Sequence, residues 1–129
     1  MKEKKLVFAV DFDGTLCTNA YPCIGAPCHE IINWIKKLRN DGHKIILWTC
    51  RDGMRLVDAI VWCADQGLFF DTVNDNLDSH KKLYKGNSRK ILADFYIDDK
   101  AIYPTDISSL MFTVPLPTPE ELNPMNLYA

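Results

Sequence analysis

The sequence lacks the features that mark several large classes of protein. No apolar run approaches the roughly 18–20 residues of a membrane-spanning helix, and the basic start of the chain meets only five apolar residues, 6–10, before Asp11. A signal peptide needs a longer apolar segment than this. The net charge of −2 supplies no strong footprint for nucleic acid. These absences argue against a membrane protein and a secreted protein, and they favour a cytoplasmic location.

Closely spaced cysteine pairs are also missing. The five cysteines form no C-x-x-C pair, whereas zinc ligands usually occur as pairs at short spacing. A disulfide framework is equally unexpected for an odd number of cysteines in a cytosolic chain. The sequence also has no G-x-x-x-x-G-K-[ST] loop for a nucleoside triphosphate. The chemistry is therefore expected from other residue types.

The composition is that of one ordinary globular domain. The chain has 129 residues, of which 47% are hydrophobic and 25% are charged. This length gives room for a single core that needs no disulfides, so we predict one domain over residues 1–129. Four prolines fall within residues 115–129, and this stretch is predicted to be a C-terminal tail because proline cannot continue a central strand.

Apolar runs alternate with helical patterns along the chain. Ile31, Ile35 and Leu38 form an apolar stripe at helical spacing, and Asp52 is the predicted N-cap of a second helix. Strands separated by helices build a mostly parallel sheet with helices on both faces. We therefore predict a single Rossmann-like three-layer α/β domain. Its five strands are predicted at residues 6–10, 45–48, 69–73, 95–97 and 110–114.

Polar residues follow the predicted strands at their carboxyl ends, where parallel sheets bind ligands. These segments are Asp11-Phe12-Asp13-Gly14-Thr15, Thr49-Cys50-Arg51 and Asp98-Asp99. Several carboxylates lie together only when a cation offsets their repulsion, and oxygen ligands favour a hard ion such as Mg2+. An aspartate can attack phosphorus, and a second carboxylate can serve as general acid and base. The pattern predicts a magnesium site that handles phosphate.

These three segments, together with the strands before them and with Lys90, also occur in a specific order. Residues 7–16 read VFAVDFDGTL, residues 47–49 read LWT, Lys90 comes next, and residues 95–99 read FYIDD. In order and spacing they resemble the four motifs of the haloacid dehalogenase superfamily of phosphohydrolases, in its small type without a cap. The likeness covers residues 7–99, and the first motif alone is fairly specific.

The resemblance implies a catalytic role for four residues. Asp11 would attack phosphorus in line, which forms an aspartyl phosphate. Asp13 would protonate the leaving oxygen and later activate the hydrolytic water. Thr49 would hydrogen-bond the phosphoryl oxygens, and Lys90 would neutralise their charge. Lys90 precedes the segment that leads into the fourth predicted strand, but the choice among the neighbouring lysines stays open between Lys81, Lys82, Lys85 and Lys90.

The resemblance also implies how metal and substrate are held. The Mg2+ ligands would be Asp11, the backbone carbonyl of Asp13, Asp98 and, directly or in support, Asp99. The predicted substrate-binding residues are Gly14, whose turn presents backbone N–H groups to an anion, Cys50 through its backbone N–H, and Arg51. For Arg51, a surface arginine before a helix is an equally good interpretation.

Two other classes of function remain open from the sequence. A phosphorelay receiver has a similar length, a parallel sheet, Mg2+, an acidic cluster, a threonine and a lysine, but it carries its acidic pair after the first strand and its acceptor aspartate after the third. A non-catalytic protein that binds phosphate is the other alternative. The position of Asp13 beside the phosphate favours turnover over storage.

The intervals between the motifs leave no room for a separate cap domain. Residues 17–27 could at most form a modest flap over the site. Superfamily members without a cap tend to act on a phosphate at the end of something large, or to take a lid from a neighbouring subunit. The predicted partners are therefore a phosphorylated small molecule, such as a sugar phosphate or nucleotide, or the phosphorylated end of a larger substrate such as a nucleic acid. A homo-oligomer that supplies a lid is a further expectation.

Overall fold

The fold is taken from a computed structural model, which describes residues 4–106 and residue 120. The chain divides into two units, residues 1–99 and residues 100–129. The first unit contains all four motifs. Within the described part of the second unit, Pro104–Asp106 form one turn of 3-10 helix. The predicted fifth strand at 110–114 lies outside the described residues, as does the predicted tail apart from Glu120.

The first unit is an α/β structure built on a four-stranded parallel sheet. Its strands are β1 (Val7–Val10), β2 (Lys44–Leu47), β3 (Thr72–Val73) and β4 (Phe95–Ile97), and its helices are α1 (His29–Asn40), α2 (Gly53–Asp65) and α3 (Asp78–Tyr84). The strand order is β3-β2-β1-β4, and every neighbouring pair is parallel. The central strand β1 is fully buried because both of its faces are covered.

The two longer helices pack on one face of the sheet. The chain steps from β1 to β2 and on to β3 in one direction, and right-handed crossovers in one direction place their helices on the same face. Ile35 of α1 and Cys63 of α2 accordingly share a buried cluster with Val10 and Leu47. The return from β3 to β4 crosses to the other face, where Leu77 and Ile91, which flank α3, cover it; α3 buries none of its own residues.

Most of the predicted elements are confirmed. Asp52 is the N-cap of α2, with an extended backbone, although its carboxylate makes no capping hydrogen bond. The third strand is shorter than predicted, because only residues 72–73 pair with β2. Phe69 lies outside the strand and is 54% exposed. None of the helices formed by residues 4–106 has the length and apolar character needed to cross a membrane.

Candidate functional site

The candidate site lies where the connections of the sheet change direction. The chain leaves β1 towards β2 and returns to the opposite side of β1 as β4. Ligands of parallel α/β sheets bind in the crevice beyond the strand ends at such a point. Val10 is in register with Leu47 on one side and Ile97 on the other, and the N–H of Asp11 donates to the carbonyl of Ile97 at 2.9 Å. The residues after these three strands therefore meet at one edge.

Three carboxylates converge at this edge. One oxygen from each of Asp11, Asp98 and Asp99 lies within 4.8 Å of the other two. Asp11 is half-buried and the other two are exposed, so a cation would remain open to water and to substrate on one side. An all-oxygen set of this spacing suits Mg2+, which keeps several water ligands beside one or two carboxylates. The residues present fit the ion that the sequence predicts.

Burial and the neighbouring carboxylates change the pKa of Asp11. The pKa of Asp11 is raised from 3.8 to about 6, chiefly by burial. The backbone N–H of Phe12 lowers this pKa, and the nearby carboxylates of Asp98 and Asp99 raise it. Burial and the neighbouring negative charges both disfavour the ionised form of Asp11, which a positive charge at this point would favour. A divalent cation would supply that charge and keep Asp11 ionised at neutral pH.

A tight turn after β1 makes room for the cluster. The carbonyl of Phe12 accepts hydrogen bonds from the N–H groups of Thr15 and Leu16 at 3.2 and 2.9 Å. Gly14 has a φ of +86°, and a Cβ atom there would overlap the carboxylate of Asp99. Gly14 is therefore required by its backbone conformation and by the close approach of a predicted metal ligand. The buried hydroxyl of Thr15 lies 3.4 Å from the carboxylate of Asp11 and donates to it.

The side chain of Asp13 points to a different partner from that of Asp11. Its two oxygens accept hydrogen bonds from Nε and Nη2 of Arg51 at 2.8 and 2.7 Å. The carboxylate is thus outside the acidic cluster, which leaves the backbone carbonyl as the predicted metal ligand from this residue. The side chain of Arg51 is only 1% exposed, so Arg51 is not the surface arginine that was one of its two interpretations.

The loop after β2 is held in place by a residue that the sequence analysis missed. The N–H of Thr49 donates to the side-chain oxygen of Asn74 at 2.8 Å, and the N–H of Asn74 donates to the carbonyl of Leu47. Asn74 has a φ of +51°, a conformation that asparagine tolerates better than most residues. In the sequence, only the position of Asn74 directly after the third strand points to this role. The hydroxyl oxygen of Thr49 accepts a hydrogen bond from the N–H of Arg51 at 3.1 Å. The O–H of Thr49 can therefore still donate to a phosphoryl oxygen. Cys50, the residue between Thr49 and Arg51, is exposed.

Two of the four candidate lysines, Lys90 and Lys81, lie in different places. The ammonium of Lys90 lies 5.3 Å from the ring centroid of Tyr96, and Lys90 lines a cavity of about 640 Å3 whose walls include His80 and Tyr84. Among residues 4–106, no hydrogen bond or ion pair brings Lys90 to Asp11. Lys81 instead binds Asp75 at 2.6 Å, and Asp75 follows the residue that holds Thr49. Lys81 therefore lies at the segment that follows β3, and Lys90 lies beside Tyr96.

Magnesium should stabilise the protein in a pH-dependent way. The pKa of Asp11 is higher in the folded protein than the unfolded value of 3.8, so its contribution to stability is complete below pH 3.8 and is lost as the pH rises through about 6. Mg2+ binds the ionised form and recovers this loss. With Mg2+ at about ten times its Kd, we expect the melting temperature to rise by about 5 °C at pH 7.5, and by about 1–2 °C at pH 5, where protons compete. Differential scanning calorimetry would measure both shifts.

Gly14→Ala is the matched control for this shift. The added Cβ would displace Asp99 from the cluster, so the variant should lose most of the magnesium shift at pH 7.5. Calcium and sodium at the same ionic strength separate metal binding from screening by salt. An equal shift at both pH values, or an undiminished shift in Gly14→Ala, would mean that Mg2+ acts elsewhere.

Comparison with known proteins bears on the family of the chain. No family model and no curated protein matches it. Among solved structures, it is similar to a conserved protein from Bacteroides thetaiotaomicron, with 32% sequence identity and a TM-score of 0.69. The likeness covers 98% of this chain and 99% of the Bacteroides protein.

Proposed function

The chain belongs to the same family as the conserved protein of Bacteroides thetaiotaomicron, and we propose that it is a Mg2+-dependent phosphomonoesterase of the haloacid dehalogenase type. The observation that carries the proposal is the convergence of Asp11, Asp98 and Asp99 at the ends of β1 and β4. A second carboxylate, Asp13, lies two residues beyond Asp11 and is held outside the cluster by Arg51. This division leaves one carboxylate for attack and another for proton transfer.

In the proposed reaction, Asp11 and Asp13 act in two successive steps. A carboxylate oxygen of Asp11 attacks phosphorus, the bond to the leaving oxygen breaks, and Asp13 gives that oxygen a proton. Water then attacks the phosphorus of the aspartyl phosphate while the carboxylate of Asp13 takes up its proton, which breaks the bond between phosphorus and Asp11, releases phosphate and restores the carboxylate of Asp11 and the protonated Asp13. The O–H of Thr49 donates to a phosphoryl oxygen, and the hydroxyl of Thr15 orients Asp11.

Charge stabilisation completes the proposed mechanism. When bound by Asp11, Asp98 and Asp99, Mg2+ supplies the positive charge that lets an anionic nucleophile approach an anionic phosphoryl group. The N–H of Gly14 donates to the carbonyl of Cys17 at 2.9 Å, and the next two N–H groups of the turn donate to the carbonyl of Phe12, so these groups are not directed at a substrate. The backbone N–H of the exposed Cys50 lies beyond the end of β2, where it can donate to a phosphoryl oxygen. We assign the lysine of the mechanism to one of Lys81, Lys82, Lys85 and Lys90; Lys81 pairs with Asp75, which follows the residue that holds Thr49.

The strand order supports this proposal over a phosphorelay receiver. Receivers have the flavodoxin-like order 2-1-3-4-5, in which β1 lies between β2 and β3. Here β1 lies between β2 and β4, as in the Rossmann-like, three-layer arrangement that we propose for the whole fold. The paired aspartates follow β4 rather than β1. Asp13 follows Asp11 by two residues and can serve as an acid and base, which a receiver that stores phosphate does not need.

The substrate of the proposed enzyme is a phosphate monoester whose remainder extends out of the site. Asp98 and Asp99 are exposed, and among residues 4–106 the segment between β1 and α1 is a loop rather than a cap domain. A sugar phosphate, a nucleotide and the phosphorylated end of a nucleic acid all carry the required group. A lid from a second subunit would restrict this choice.

A panel of phosphate monoesters tests the proposed function. Sugar phosphates, nucleotides, phosphorylated oligonucleotides and an aryl phosphate are each incubated with the protein in the presence of Mg2+ and of a chelator. We expect release of phosphate with Mg2+, at least about a hundredfold less with the chelator, and restoration when Mg2+ is added back. Binding of phosphate without hydrolysis of any ester would favour the non-catalytic alternative.

A further inference from the structure

Arg51 has a more specific placement than its position before α2 suggests. Besides its two hydrogen bonds to Asp13, Nη2 donates to the carbonyl of Cys23 at 2.9 Å. Nη1 donates to the carbonyl of Pro22 at 3.3 Å and to that of Arg55 at 3.4 Å. These five contacts account for all five N–H groups that a guanidinium can donate. No N–H group of Arg51 remains to donate to a substrate, so these contacts do not support the substrate contact that the sequence predicted for Arg51.

The other partner of Arg51 is the tip of the loop that joins β1 to α1. At the base of this loop, the N–H of Thr18 donates to the carbonyl of Ala26 at 2.8 Å, and the N–H of Ala26 donates to the hydroxyl of Thr18 at 2.9 Å. The tip then folds over Arg51, whose guanidinium carbon lies 5.0 Å from the ring centroid of Tyr21. The ring of Phe12 lies at the same distance. The guanidinium thus joins the loop tip to the turn after β1.

From this geometry we propose that Arg51 is a positioning residue, which couples the placement of loop residues 18–27 to the placement of the general acid and base Asp13. The inference rests on the proposed function for the role of Asp13. A bidentate pair fixes both the position and the plane of a carboxylate, and the same guanidinium is itself fixed by two loop carbonyls. A substrate that moves the loop would therefore also move the group that protonates the leaving oxygen.

Lysine cannot take over this role. Its ammonium is a single centre without the planar fork of arginine, so it can keep the charge beside Asp13 but cannot hold both carboxylate oxygens and both loop carbonyls at once. Arg51→Lys thus removes the alignment while it keeps the ion pair. Tyr21→Ala loosens the coupling from the loop side, and because Tyr21 is 58% exposed, this variant keeps the buried pair and the fold.

The leaving group of the substrate reveals whether Asp13 is aligned. An aryl phosphate with an acidic phenol departs with little help from an acid, whereas an alkyl phosphate needs a proton in the transition state. We expect Arg51→Lys to lower kcat/KM for the alkyl ester by about tenfold or more beyond its effect on the aryl ester. Tyr21→Ala should lower it in the same selective way by a smaller factor.

Arg55→Lys is the matched control, since only the backbone carbonyl of Arg55 touches Arg51 and its side chain is exposed; both esters should react at the wild-type rate. Equal losses for the two esters in Arg51→Lys, or none, would overturn the inference. If Arg51→Lys does not fold, an equal loss or no loss in Tyr21→Ala overturns it. Failure of the wild type to hydrolyse either ester would instead contradict the proposed function.

Discussion

Asp11→Asn should reduce hydrolysis of every phosphate monoester by at least about a thousandfold, because the amide is nearly isosteric with the carboxylate but does not attack phosphorus. The same change removes one of the three anionic ligands of the cluster, so weaker binding of Mg2+ should accompany the loss. Steady-state kinetics at saturating Mg2+ with an aryl phosphate would measure it, since this ester makes the least demand on proton transfer.

The exposed Asp58 on α2 gives the control for Asp11→Asn. Asp58→Asn changes the net charge by the same amount but lies outside the site, and it should keep full activity. Circular dichroism should show the same secondary structure in both variants. Retention of more than a few per cent of activity in Asp11→Asn, with Mg2+ saturating, would contradict the assignment of the nucleophile.

Asp13→Asn should have the second largest effect, and a different character. Loss of the general acid and base is expected to slow turnover by about 10²–10⁴-fold. With an aryl phosphate the first step still proceeds, so the aspartyl phosphate should accumulate because no base activates water. Rapid-quench measurement of the phosphoenzyme would separate this variant from Asp11→Asn, which should form none.

Asp13→Asn also removes the charged partner of the buried Arg51. A buried charge that loses its partner typically costs about 3 kcal/mol, and the side chain of Arg51 is 1% exposed. The variant should therefore unfold at lower denaturant concentration than Asp58→Asn. An unchanged unfolding midpoint would mean that the pair with Arg51 is not held in solution, and a phosphoenzyme no longer-lived than in the wild type would remove Asp13 from the second step.

The sequence was sufficient to predict the elements that carry the site. Apolar runs such as residues 7–10 and the helical stripe of Ile35 and Leu38 are local patterns, and the structure confirms the strand and the helix that they predict. The convergence of Asp11 with Asp98 and Asp99 also follows from the sequence, because each lies at the carboxyl end of a strand in a parallel sheet. Which strand ends meet depends on the strand order. In the structure, the chain crosses twice in one direction, from β1 to β2 and to β3, and then returns to the other side of β1 as β4.

The contacts between loops could not be predicted in the same way. Arg51 and Asp13 are separated by 38 residues, and Asn74 reaches Thr49 across 25 residues. Neither pair leaves a periodic or spaced pattern, since loops approach one another only after the sheet has formed. For the same reason, the sequence could not identify which lysine binds phosphate. Only the fold of α3 and the turn after it places Lys81 beside Asp75 and Lys90 beside Tyr96.

The identity of the phosphorylated residue tests the account most directly. The wild-type protein is mixed with an aryl phosphate and Mg2+, quenched within one turnover, and treated with borohydride, which reduces an aspartyl phosphate to homoserine. Peptide mass spectrometry then locates the homoserine. The account predicts it at residue 11 only, with a phosphoenzyme that decays as fast as the enzyme turns over. Phosphate on another aspartate, or a phosphoenzyme that outlasts many turnovers, would contradict it.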